Sequence, residues 1–218
     1  MCGIGGVFSL RDAHTPANAV FEALSHRGPD DAGVTTLLDR DGSSRGSFVH
    51  RRLAIIDTSS AGHQPMFSPD GRYSIVYNGE IYNYAELRAE LEKTGVSFRS
   101  HSDSEVLLIG WRDHGPAFLE RLRGMFVFAL WDRETERGYL VRDAFGIKPL
   151  YISEQNGDLL FASEVRALLA SGLVPRTLSH AAVTSYLRTG SVAEPLTIID
   201  GVVAAPPGCI VEVRHENG

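Results

Sequence analysis

Apolar residues in this chain come in short runs bounded by turn formers, and most runs are too brief for anything but strands. The predicted strands are Ile4–Ser9, Val34–Leu38, Ser47–His50, Tyr73–Tyr77, Met125–Trp131, Gly138–Arg142, Leu159–Ala162 and Ile210–Val213. Asp39-Arg40-Asp41-Gly42-Ser43-Ser44 predicts a hairpin turn. Helical patterns fall at Ala17–Leu24, Tyr84–Thr94, Val106–Asp113, Ser163–Ala170 and His180–Arg188. In the second of these, Leu87 and Leu91 share a face, and Asn83 followed by Glu86 reads as an N-cap with an acidic third residue. Ser102 followed by Glu105 has full capping-box spacing. Strands in bunches separated by paired helices predict an α+β fold of antiparallel sheets covered by helices. From Leu173 onward the chain is richer in Pro and Gly and reads as a peripheral extension, 173–218, to a main domain of residues 2–172.

Composition narrows the function classes. A net charge of −6 and a pI near 5.7 argue against a nucleic-acid binder or an anionic-membrane surface. The longest apolar run, around Met125 to Trp131, is far short of the roughly 20 residues of a membrane span. Two cysteines, Cys2 and Cys209, are too few for a disulfide scaffold, so the expected compartment is the reducing cytoplasm. The histidines lack metal-ligand spacing and no cysteine pair accompanies them, so no metal site is expected.

Cys2 is the first candidate for chemistry. Removal of Met1, as expected before a small side chain, leaves a cysteine with both a thiol and a free α-amine, a nucleophile carrying its own base. Further polar clusters follow. His26-Arg27-Gly28-Pro29-Asp30 resembles a helix exit into a Pro turn, and in His50-Arg51-Arg52-Leu53-Ala54-Ile55-Ile56-Asp57 a guanidinium could hold a carboxylate bidentately. Tyr77-Asn78-Gly79-Glu80 reads as a turn at a strand end, where an Asn amide beside a Gly N–H supplies two converging donors, as an oxyanion hole requires. Ser102-Asp103-Ser104-Glu105 is a capped helix start that puts Asp103 in the first turn.

Each cluster alone has an ordinary structural explanation. Their order, extended by Arg142-Asp143-Ala144-Phe145-Gly146-Ile147-Lys148-Pro149-Leu150-Tyr151, resembles the class II glutamine amidotransferases, and more narrowly the glutaminase domain of glutamine-hydrolysing asparagine synthetases. The Trp-Ala-Thr-His-Gly segment of glucosamine-6-phosphate synthases is absent. Where phosphoribosyl-pyrophosphate amidotransferases have Arg-Gly-Gln-Asp, this chain has Arg27-Gly28-Pro29-Asp30. One departure is Ala144, where many members have His, outside the motifs assigned to the pocket.

The resemblance implies the four-layer α-β-β-α sandwich of the N-terminal-nucleophile hydrolases. It implies hydrolysis of L-glutamine to glutamate and ammonia through a Cys2 thioester, with Asn78 and Gly79 holding the oxyanion. Arg52 would take the substrate α-carboxylate, Glu80 and Asp103 its α-ammonium, and Leu53, Ala54, Ile55 and Ile56 would line the pocket. No cofactor is implied for this domain. ATP and Mg belong to a synthetase half whose Ser-Gly-Gly-x-Asp-Ser phosphate loop is not found here. The implied partner is a C-terminal synthetase domain or a separate synthetase subunit, acting on aspartate or another carboxylate, and a homodimer is compatible. The rival expectation is a relative that binds glutamine or docks a partner without turnover.

Overall fold

Side-chain alternation along the strands decides how the layers stack. The structure, a computed structural model, describes residues 1–9 and 14–214, without the side chains of His14 and Thr15; the end of the expected extension, 215–218, lies outside them. In chain order the elements are β1 (Gly3–Phe8), α1 (His14–Ala23), β2 (Asp31–Leu38), β3 (Ser44–Arg52), β4 (Met66–Phe67), β5 (Tyr73–Ile81), α2 (Tyr84–Lys93) and α3 (Asp103–His114). They continue with β6 (Gly124–Asp132), β7 (Arg137–Arg142), β8 (Tyr151–Gln155), β9 (Asp158–Ala162), α4 (Val165–Ala170), α5 (His180–Thr189), β10 (Val203–Ala204) and β11 (Ile210–Arg214).

These strands form two antiparallel sheets, a six-stranded one in the order β10-β8-β9-β1-β3-β2 and a five-stranded one in the order β11-β7-β6-β5-β4. On β6, Phe126, Phe128 and Leu130 pack with Leu87, Leu91, Leu107 and Trp111 of α2 and α3. The intervening Val127, Ala129 and Trp131 face Ile4, Phe8, Phe48 and Phe161 of the other sheet. On the far side, Val7, Val49 and Leu160 meet Val20 and Leu24 at α1 and Ala167 and Leu168 of α4. The period of two in these strands therefore produces four layers, helices–sheet–sheet–helices, as the family resemblance implies. The inter-sheet layer is sealed by aromatic rings: Phe8 lies edge-on to Phe48 and stacked on Phe161, with centroids 5.6 Å apart in both pairs.

The structure corrects the sequence reading in several places. β5 does not end at Tyr77; it runs through Asn78-Gly79 to Ile81, paired throughout with β6. β4, β8 and β10 were not predicted. Asn83 stands at the N-cap of α2, yet its amide bonds Arg121 O and Arg123 N rather than the helix. Ser102 does cap α3, but Glu105 reaches past it to the amides of Arg99 and Ser100, so only half the capping box forms. The final segment adds an edge strand to each sheet, β10 on β8 and β11 on β7. No helix among the described residues is long and apolar enough to cross a membrane.

Candidate active site

The same alternation brings the candidate residues together. Ile4, Phe48 and Val76 face the gap between the sheets. Cys2 is two residues before Ile4, Arg52 is four beyond Phe48 and Asn78 is two beyond Val76, so all three fall in gap-facing register at one end of the sandwich. There they line one pocket with Leu53, Ile55, Ile56, Gly79, Glu80 and Asp103. Of the expected residues, Ala54 alone lies elsewhere: its N–H donates to Asp30 Oδ2 at 2.9 Å, and it borders a separate hollow with Asp31 and His63.

The nucleophile candidate is held from two sides. Cys2 Sγ donates to Leu53 O at 3.5 Å and accepts from Leu53 N–H at 3.4 Å. Its carbonyl accepts from Arg27 Nε at 2.9 Å, and Arg27 is anchored by Glu164 at 2.9 Å. The His26–Asp30 cluster thus fixes the start of β1 as well as making a turn. Burial pushes the Cys2 thiol up; the Leu53 amide and the nearby Arg52 oppose this, while Asp103 adds to it. The group is consequently a thiol at neutral pH and needs a base to become a nucleophile.

Asn78 is 2 % exposed, and its Nδ2 is a buried donor without a partner. Leaving such a group unmatched costs about 1–3 kcal/mol, a penalty removed by an acceptor entering the pocket. Beside it, Gly79 faces β6 so closely that a Cβ would stand 2.5 Å from Met125 O and 2.6 Å from Phe126 Cα. Only glycine lets the two strands approach this closely.

Asp103, in the first turn of α3, meets β5 beyond the stretch paired with β4. Its Oδ2 accepts from the Tyr77 hydroxyl at 2.6 Å and from Ile81 N–H at 3.0 Å. Burial raises the Asp103 carboxyl while these two donors pull it back; burial and the Asp103 charge hold Tyr77 well above its ordinary value. Glu80 is exposed at the pocket mouth. Arg52 is buried, donating from Nη1 to Ser59 O at 2.9 Å and from Nη2 to Asp57 O. Two of its five N–H groups are thereby used and Nη1 also stands 3.9 Å from Asp31 Oδ2, with Nε and the remaining Nη2 hydrogen open to a substrate carboxylate.

Sequence reasoning missed Asp57, Gln64, Tyr77 and Lys148, which also line the pocket. Tyr77 was signalled only by adjoining the Asn-Gly motif. Gln64 Oε1 accepts Tyr77 N–H at 2.6 Å, and Lys148 Nζ reaches Met1 Sδ at 3.7 Å, neither of which local spacing foretells. Among the described residues, no group of three or more His, Cys, Asp or Glu is placed to hold a metal ion.

Beneath the pocket, His50 is fully buried and bonds Tyr77 O through Nε2 at 3.0 Å. Burial chiefly, with Arg52 and His63 in support against the Tyr77 bond and Asp31, lowers its pKa to about 4. The folded form therefore keeps a neutral imidazole, while the unfolded chain protonates near its ordinary 6.5. Stability from this site is complete above pH 6.5 and is lost as the pH falls toward 4, by about 3 kcal/mol. Urea midpoints measured between pH 7 and 4 are expected to fall steeply for the native chain and less for His50→Gln; equal slopes would remove His50 as the cause.

Comparison with known proteins bears on this arrangement. A family profile described as "glutamine amidotransferase domain" matches residues 1–218. Asparagine synthetase [glutamine-hydrolyzing] 1 of Bacillus subtilis (strain 168) is 37% identical over 223 residues, covering 100% of this chain and 34% of its own length. A putative asparagine synthetase [glutamine-hydrolyzing] of Mycobacterium tuberculosis is 40% identical over 218 residues, covering 94% of this chain and 32% of its own. Asparagine synthetase B of Escherichia coli (strain K12) is 38% identical over 192 residues, covering 86% and 33%. The chain thus spans about a third of the length of these curated relatives. Among solved structures, the glutamine phosphoribosylpyrophosphate amidotransferase of B. subtilis superimposes with a TM-score of 0.68 at 23% identity, over 83% of this chain and 46% of that one. That likeness shows the shared fold.

Proposed function

Because this chain belongs to the family of class II glutamine amidotransferase domains, we propose that it hydrolyses L-glutamine to glutamate and ammonia through a thioester on Cys2. One observation carries the proposal: an unpartnered, buried amide donor, Asn78 Nδ2, lines the same pocket as the Cys2 thiol. Removal of Met1 frees the α-amine of Cys2, which takes the thiol proton as Sγ attacks the side-chain amide carbon. The negative oxygen of the tetrahedral intermediate accepts hydrogen bonds from Asn78 Nδ2 and Gly79 N–H. The amine then returns the proton to the leaving nitrogen, ammonia departs, and water cleaves the thioester.

Substrate recognition follows from charge. A zwitterionic end needs one cation and at least one anion facing it, and Arg52, Glu80 and Asp103 supply them around one pocket. Leu53, Ile55 and Ile56 form its wall. Ammonia would serve a synthetase domain or subunit, with aspartate as the acceptor suggested by the relatives' names. In this proposal, ATP and Mg act in that synthetase unit and the thioester route needs no cofactor.

The test is intact mass after incubation with a diazoketone analogue of glutamine. Loss of Met1 together with one adduct mapping to Cys2 is the expected result. Met1 removed with no adduct would sink the proposal.

A further inference from the structure

We propose that Asp57 is a positioning residue for substrate specificity, holding the loop that aims Arg52 at the glutamine α-carboxylate. The proposal rests on the role given to Arg52 above and adds what sets that guanidinium in place. The main chain of residues 57–62 wraps around Arg52. Carbonyls of Asp57 and Ser59 accept from its two Nη atoms, and Gly62 sits so close that a Cβ there would stand 2.1 Å from Nη2.

This loop carries little apolar anchorage; Thr58, Ser59 and Ser60 are exposed. Its one buried acid, Asp57, fastens it at both ends. Oδ1 accepts from Ser59 N–H at 2.8 Å and from the Ser59 hydroxyl at 2.6 Å, closing the loop on itself. Oδ2 accepts from His101 N–H at 2.8 Å, tying the loop to the segment that leads into α3 and Asp103. One side chain thus links the cationic and anionic ends of the substrate site. These donors hold the Asp57 carboxyl at about 2, so the anchor stays charged across the working pH range.

The experiment is a substrate-pair comparison on the processed protein, using L-glutamine and 4-aminobutanamide, which lacks the α-carboxylate. Asp57→Asn keeps an acceptor for Ser59 but sets an NH2 against His101 N–H. The expected result is a glutamine KM about tenfold higher with kcat within about twofold, and turnover of 4-aminobutanamide changed by less than about twofold. Loss of both substrates alike, or an unchanged glutamine KM, would overturn the proposal. If Asp57→Asn does not fold, Ser59→Ala removes the hydroxyl bond to the same carboxylate from an exposed position, together with the longer 3.2 Å bond that its Oγ accepts from Ala61 N–H within the loop. A rise of about twofold in glutamine KM alone is then expected, and no rise overturns the proposal.

Arg52→Ala separates this proposal from the one beneath it. An unchanged glutamine KM in Arg52→Ala would overturn the assignment of Arg52 and this proposal with it. A raised KM in Arg52→Ala beside an unchanged one in Asp57→Asn would overturn the role of Asp57 only. In the Arg52→Ala background, Asp57→Asn is expected to add no further rise in KM.

Discussion

Cys2→Ala is expected to cut glutamine hydrolysis by roughly 10⁴-fold or more while leaving glutamine affinity nearly unchanged. Without Sγ no thioester forms, and the remaining groups can only polarise the amide toward direct attack by water. The substitution is clean for three reasons. Alanine still permits Met1 excision, so the α-amine and the pocket mouth stay as they are. The Cys2 carbonyl, bonded to Arg27 at 2.9 Å, belongs to the main chain and is retained. The two Sγ contacts to Leu53, at 3.5 and 3.4 Å, are long sulfur contacts whose loss disturbs the loop little. Turnover from ammonia release and affinity from titration calorimetry, both with glutamine, make the check. A turnover loss below tenfold would mean that another group attacks the amide.

Asn78→Ala is expected to lower kcat by about 10²–10³, equivalent to roughly 2.7–4 kcal/mol of transition-state stabilisation, with little loss of folding stability. The contrast between the two readouts is the informative part. A buried polar side chain that contributes to the fold leaves a partner stranded when removed, and the chain becomes less stable. Asn78 Nδ2 has no such partner. Its deletion takes away a donor that the folded chain desolvates without recompense, so thermal stability should hold or rise. Tyr77→Phe would behave differently, because it removes a bond to Asp103 that exists in the fold. A large fall in melting temperature for Asn78→Ala, matching the activity loss, would make Asn78 structural and leave the oxyanion to other donors.

Strand and helix positions were largely legible because amphipathic periodicity follows directly from burial on one face. α2, predicted at Tyr84–Thr94, is observed at Tyr84–Lys93, and α5, predicted at His180–Arg188, at His180–Thr189. The unpredicted strands β4 and β10 are two residues each, too short for any period to register. β8 was missed because Tyr151–Gln155 alternates only weakly, with Ser153 its one buried position. Asn78-Gly79 misled for a chemical reason. That dipeptide favours a turn when the chain is free to choose, but pairing with β6 from Ile81↔Gly124 to Tyr73↔Asp132 outweighs the local preference.

What the sequence determined by itself is the set of reactive groups and their parity. Cys2, Arg52 and Asn78 each lie an even number of residues from a core side chain, and because the structure carries β3 on to Arg52 and β5 past Asn78, strand geometry turns them toward the inter-sheet gap. What only the tertiary structure decided is how those groups are held. Asp57 meets His101, 44 positions along the chain, and Arg27 meets Glu164 across 137. Such contacts depend on sheet order and on loops closing over the sandwich end. A local pattern records which face a side chain takes, and carries nothing about what the rest of the chain brings to that face.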